Sequence, residues 1–261
     1  MSDFDRNAAR WGQGIARTGR AEIDQGLRTY MLGVYNNMVI GLAITGLVAL
    51  GVNMLSVTTD RSQAAAQMGH ILLTSFGAAI FLSPLRWVVI LAPLAFVLFF
   101  SFRISQMSAA SARGLFFAFA AAMGLSLSLL LLIYTGASVA RAFFVTAAAF
   151  GALSLYGYTT KRDLSPMGSF LVMGLFGLII AGLVNVIFFR SMDFQFALSI
   201  LSVLIFSGLT AWDTQAIKEM YYASDDYEVA VKKSVNGALM LYLDFINIFQ
   251  SLLYLTGSRN D

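Results

Sequence analysis

Apolar residues run along this chain in long unbroken blocks separated by short polar stretches. A hydrocarbon layer about 30 Å thick takes about 20 consecutive apolar residues of helix. Seven blocks meet that length, at roughly 30–56, 85–102, 114–134, 138–158, 167–189, 194–217 and 237–256. The stretch 64–82, AAAQMGHILLTSFGAAIFL, has a shorter apolar part and predicts a re-entrant or interfacial piece on the outer side. No apolar run precedes Tyr30, so residues 1–28 predict a polar cytoplasmic tail and not a secretory signal. The pattern predicts an all-α polytopic membrane protein of about seven transmembrane helices, with the last helix packed against or among the others. Residues 29–257 form its membrane domain and 258–261 a short C-terminal tail.

Charge adds a direction to this picture. Only 12% of the residues are charged, about half the share of a soluble domain at about 25%. Basic residues collect on the cytoplasmic side of multi-pass proteins. With the N-terminus inside, 12 of the 17 Lys and Arg fall in inner segments, and only Arg61, Arg86, Arg141, Arg190 and Arg259 fall outside. Seven spans and a cytoplasmic N-terminus therefore support each other, in a bacterial-type inner membrane. Small residues predict helix contact faces, with Ala147, Ala148, Gly151 and Ala152 on the fourth span and Gly174, Gly177, Ala181 and Gly182 on the fifth. Pro93 predicts a kink in the second span, and Pro166 suits the start of the fifth.

Composition excludes several chemistries. There is no Cys, so no disulfide, thiolate nucleophile or Cys metal site, and the single His70 rules out any two-histidine site. Zincin, P-loop and Rossmann motifs are absent, no cofactor is expected, and no nucleic-acid partner is implied. Of the 14 acids, 12 lie in the tail, in loops or at span ends; Asp213 and Asp244 lie inside the sixth and seventh spans. A carboxylate in hydrocarbon is costly and marks a functional candidate. Antiparallel packing of consecutive spans would bring the two to one level, in the cytoplasmic half. Arg103, ending the second span on the same side, is the basic residue placed to reach them. The bland alternatives are a helix-end solvation role for Asp213, a packing role for Asp244 with Asn247 one turn on, and a simple anchoring role for Arg103.

Three segments carry a resemblance. LYLDFINIF at Leu241–Phe249, WDTQAIK at Trp212–Lys218 and FGALSLYGYTTKRDLSPMGSFL at Phe150–Leu171 together resemble the Bax inhibitor-1 family, including its bacterial YccA-like members. The similarity runs from about Tyr30 to Leu255, with Trp212 standing where relatives often carry Tyr. It implies a pH-sensitive calcium leak channel governed by an intramembrane aspartate pair, here Asp213 and Asp244. Arg103 would be the latch that holds the closed state, and Trp212, Tyr242 and Asn247 would support the pair. The expected partners are the lipid bilayer, protons and Ca²⁺, the last as a bound or transported ion. The physics agrees: two carboxylates in one low-dielectric site share a proton, and ionised together they offer hard oxygen donors to Ca²⁺.

Other readings stay open. An intramembrane aspartyl protease would need Gly-x-Gly-Asp where Leu241-Tyr242-Leu243 precedes Asp244, so the reading is non-enzymatic. The resemblance also implies a modulator or substrate of a membrane-bound ATP-dependent protease that grips the charged tail. A proton-coupled transporter using the same aspartates is the remaining alternative.

Overall fold

The computed structural model describes the backbone of residues 3–260 and the side chains of residues 25–260 other than Ser101 and Ser105. The polar tail expected over 1–28 falls mostly outside the described side chains. Eight α-helices are present among the described residues: α1 (Asp3–Ser56), α2 (Ser75–Phe81), α3 (Leu85–Arg103), α4 (Ala109–Ile133), α5 (Gly136–Thr159), α6 (Ser165–Val184), α7 (Met192–Glu219) and α8 (Tyr227–Thr256). Six are long and apolar enough to cross a membrane: α1 from Gln25 onward, α4, α5, α6 with its π-helical extension Asn185–Phe189, α7 and α8. α2 and α3, bent by 61° at Leu82–Pro84, make a seventh candidate crossing when taken together. The chain is a multi-pass membrane protein. Large apolar side chains such as Leu47, Phe144, Phe170 and Phe188 are at least 70% exposed, an arrangement that suits lipid and not water.

Local chemistry sets the element boundaries. Thr74, Ser108, Thr135 and Ser191 precede α2, α4, α5 and α7, and each side-chain oxygen accepts a backbone N–H three residues on. These caps satisfy amides that a helix start leaves without partners. The 64–82 stretch differs from expectation. Its first half enters an antiparallel sheet of β1 (Val57–Thr58), β2 (Ala66–Met68) and β3 (Ile71–Leu73), in the order β1-β3-β2. Gly69, at φ +61°, makes the tight turn before β3, a conformation that favours glycine. The sharp bend of the second crossing lies at Leu82–Pro84, whereas Pro93 sits within the single helix α3.

α8 occupies the centre, packed by α1, α4, α5 and α7; α6 lies outside α7, and α3 outside α4. Aromatic side chains of α4 and α8 fill this centre: Phe116 and Phe119 meet the Tyr242 ring edge-on at 5.7 and 5.5 Å. The predicted small-residue faces need correction. A methyl group on Gly151, Gly177 or Gly182 would meet open space, and Ala147, Ala148 and Ala152 are exposed. Of the four glycines in that set, Gly174 alone has a side chain pressed close, with Ile205 at 3.0 Å from the added carbon. Close helix contacts are made instead at Gly124 against Thr45, Gly157 against Ala211 and Gly168 against the Trp212 ring. Spacing alone does not reveal which side of a lipid-facing helix touches protein.

The bundle has two ends. The sheet end carries Arg61, Arg86, Arg141, Arg190 and Arg259; the other carries Arg28, Arg103, Arg113, Lys161, Arg162, Lys218, Lys232 and Lys233. At the sheet end the segment after α8 is strapped to the α4–α5 turn. Thr135 N donates to Ser258 O (3.0 Å), Asn260 N to Ile133 O (2.9 Å), and Asn260 Nδ2 to the carbonyls of Leu132 and Tyr134 (3.0 and 3.2 Å).

Candidate functional site

Asp213 and Asp244 come together. Asp213 lies about two turns before the end of α7 and Asp244 near the middle of α8, and the helices run antiparallel in contact. The two carboxyl groups lie within hydrogen-bond reach of each other. They are 8% and 3% exposed, and Asp244 Oδ2 has no hydrogen-bond partner. The sequence dictates this meeting: the buried face of α8 carries Leu241, Asp244, Phe245 and Ile248, and that of α7 carries Thr210, Asp213, Thr214 and Ile217. Gly237 aids the approach, since a methyl group there would meet Ile217 at 2.9 Å.

Around the pair, α7 is pinned by polar contacts. Gln215, two residues on, is buried; its Oε1 accepts Leu164 N (2.8 Å) and its Nε2 donates to Arg162 O (2.9 Å). That side chain fixes the α5–α6 loop to α7. Lys218 Nζ donates to Tyr158 O (2.9 Å) at the end of α5. A row of hydroxyls joins three helices: Tyr35 of α1 to Ser154 of α5 (2.7 Å), and Ser154 to Thr214 of α7 (2.9 Å). Thr214 spends its proton on Thr210 O (2.7 Å), so Ser154 donates to it and Tyr35 donates to Ser154. Gln215, Ser154 and Tyr35 gave no sequence signal, because isolated polar residues in apolar helices show no spacing until their partners on other helices are known.

The other candidate residues are arranged differently. Tyr242 is fully buried and turns away from the pair, its hydroxyl bonded to Thr45 Oγ1 (2.7 Å) between α1 and α4. Trp212 packs over Gly168 of α6. Asn247 Nδ2 donates to Leu243 O in its own helix (2.8 Å). Arg103 is exposed, with its guanidinium 6.0 Å from the Phe99 ring centre. The one ion pair among the described residues is Lys233–Asp225 (2.6 Å), so Arg103 does not hold the carboxylates here.

Chemically, the site is a buried pair of carboxyl groups. Two carboxyl groups that face each other are joined by a shared proton or by a cation. Among the described residues no cluster of three or more metal-ligating side chains exists, so a cation here would take two carboxylates and draw its other ligands from backbone or water.

Comparison with known proteins agrees with this architecture. The family model described as "Inhibitor of apoptosis-promoting Bax1" matches residues 27–261. An uncharacterised protein of Rickettsia prowazekii is 45% identical over 91% of this chain and 93% of its own. One from Caulobacter vibrioides is 41% identical over the full length of both. The inner membrane protein YbhL of Escherichia coli is 42% identical over 90% of this chain and 93% of its own. With the match running through every membrane-crossing helix, including α7 and α8 with their aspartates, the chain belongs to the Bax inhibitor-1 family.

Proposed function

We propose that this protein is a calcium leak channel of the bacterial inner membrane, in which protons and Ca²⁺ compete for the Asp213–Asp244 pair. The observation that carries this reading is the contact between two buried carboxyl groups, one with an orphaned oxygen. Buried acceptors are otherwise hydrogen-bonded, and a charge in the membrane interior is costly without a partner. A site of two carboxylates falls short of the six to eight oxygens of a storage site. It suits an ion that passes and does not stay.

The end bearing Arg28, Arg113 and Lys218 faces the cytoplasm in this reading, because basic residues are retained there. Neither carboxylate lines the cavities beside α1, α5 and α8. Arg103 acts as the latch when α3 shifts. The supporting feature is that α3 packs on α2 and α4 at the edge of the bundle, away from the tightly held α7–α8 pair. Protonation of the pair weakens its hold on a cation and shifts the balance between the two positions of α3.

The test is Ca²⁺ entry into liposomes, followed with a trapped dye from acid to neutral pH. Wild type gives a pH-dependent flux, Asp213→Asn and Asp244→Asn lose that dependence, and Arg103→Ala leaks without control. Wild-type flux and pH dependence in both aspartate variants would sink the proposal.

A further inference from the structure

At the end opposite the sheet, α1, α4 and the start of α8 line an open cleft of about 560 Å³. Its lining includes Tyr30, Asn37, Arg113, Tyr221, Tyr227 and Ser234, and no carboxylate lines it among the described residues. Two features mark it as more than a packing gap. Tyr30 is 7% exposed, yet its hydroxyl has no hydrogen-bond partner. Arg113 lines the cleft with an exposed guanidinium and takes part in no ion pair among the described residues. Deeper in, Asn37 Nδ2 approaches Ser234 Oγ at only 3.4 Å, a long bond that leaves both groups with capacity to spare.

The cleft is built into α1. Gly26, Tyr30, Gly33 and Asn37 follow each other at four, three and four residues, which places them on one face of the helix. A methyl group on Gly26 would strike the Tyr221 hydroxyl, and one on Gly33 would sit 3.1 Å from Ser234 Oγ. The nearby acid Asp225 is already neutralised by Lys233 at 2.6 Å. The cleft therefore presents one free cation, hydroxyl donors and amide donors. That set matches a phosphate anion. Its level is also defined: Tyr30 opens the apolar run of α1, and Arg113 lies one turn into α4. This is where helices leave the hydrocarbon and meet lipid headgroups.

We infer that this cleft binds the phosphate of an anionic phospholipid headgroup, with Arg113 as the charge partner and Tyr30 as a buried donor. Native mass spectrometry of the full chain in detergent tests it. The protein is titrated with phosphatidylglycerol, with phosphatidylcholine of the same acyl chains, and with inorganic phosphate. Phosphatidylglycerol is expected to bind about tenfold more tightly than phosphatidylcholine, whose choline cation offsets the phosphate charge and is repelled by Arg113. Arg113→Gln abolishes that preference, Tyr30→Phe reduces it, and Arg28→Gln, on the opposite face of α1, leaves it intact. Thermal unfolding of each variant at the wild-type temperature shows that the fold is kept. Equal loss in Arg28→Gln would mean diffuse charge attraction and overturn the inference. Displacement of the lipid by inorganic phosphate would assign the cleft to a soluble phosphate and overturn the lipid assignment.

Discussion

Gly157 offers a sharp test of how α5 and α7 hold the aspartate pair in place. A methyl group added there would lie 2.9 Å from the carbonyl carbon of Ala211 and closer still to its oxygen. Both are backbone atoms of α7, two residues before Asp213, and cannot rotate aside. Ordinary contact begins near 3.4 Å and the oxygen is the limiting atom, so the helices must part by about 1 Å. The Ser154–Thr214 hydrogen bond one turn away, 2.9 Å long, is then stretched past useful geometry. Overpacking of this kind costs about 1–3 kcal/mol, and the weakened bond adds up to about 1 kcal/mol. The better helix propensity of alanine returns roughly 0.5–1 kcal/mol. Gly157→Ala is therefore destabilised by about 1–3 kcal/mol, read as an earlier thermal unfolding of the detergent-solubilised protein. Gly151→Ala is the internal control: it lies in the same helix and its added methyl meets open space. It should unfold at or slightly above the wild-type temperature. Wild-type unfolding of Gly157→Ala, or equal destabilisation by Gly151→Ala, would refute the reasoning.

Other expectations follow from the same contacts. Gln215→Ala leaves Leu164 N–H and Arg162 C=O without their partner and should cost about 1–3 kcal/mol, seen as faster proteolysis of the α5–α6 loop. Tyr242→Phe keeps the ring between Phe116 and Phe119 and loses one bond to Thr45, so thermal unfolding should register a loss of about 1 kcal/mol; Tyr242→Ala should lose about 3–5 kcal/mol. Asn260→Ala frees the carbonyls of Leu132 and Tyr134 and should raise amide hydrogen exchange at Thr135, whose N–H is held by the same strap. Asp163, in the exposed α5–α6 loop, accepts Ser165 N–H at 2.9 Å, which holds its carboxyl below its usual value. Its hold on the start of α6 is thus present above the ordinary carboxylate range, near about 4, and is lost as pH falls through the lowered value. Protection of the Ser165 amide should follow that titration in wild type and not in Asp163→Asn.

Much of this architecture was legible because hydrocarbon imposes a length on every span. The apolar blocks match the crossings in order, and the two aspartates stood out because acids are rare inside such blocks. Helix ends were less legible. α8 begins at Tyr227 and not near 237, since its first turns are polar yet remain helical. The strands of 57–73 are two or three residues long, too short for an alternating pattern to show. The wide π-helical turn at Asn185–Phe189 was hidden as well. It depends on Asn185, whose side chain accepts Ser191 N and donates to Ser191 O, and on Arg190 at φ +49°. Of the candidate site, the pair itself was visible, whereas the directions of Trp212, Tyr242 and Asn247 were not. A residue's neighbours in sequence do not fix its bearing around the helix axis relative to other helices.

The central position of α8 has a consequence for biogenesis. Its apolar window has the lowest mean hydropathy of the six long spans, 1.5, and is the most enclosed, at 61% buried. It follows all the other spans in the chain. The slot it fills, bounded by α1, α4, α5 and α7 with Phe116 and Phe119 facing it, is therefore completed last in chain order. The least apolar of the long spans gains least from lipid alone, so the slot formed by the earlier spans adds to what holds it in place. The last span to emerge is then the one that locks the order of assembly.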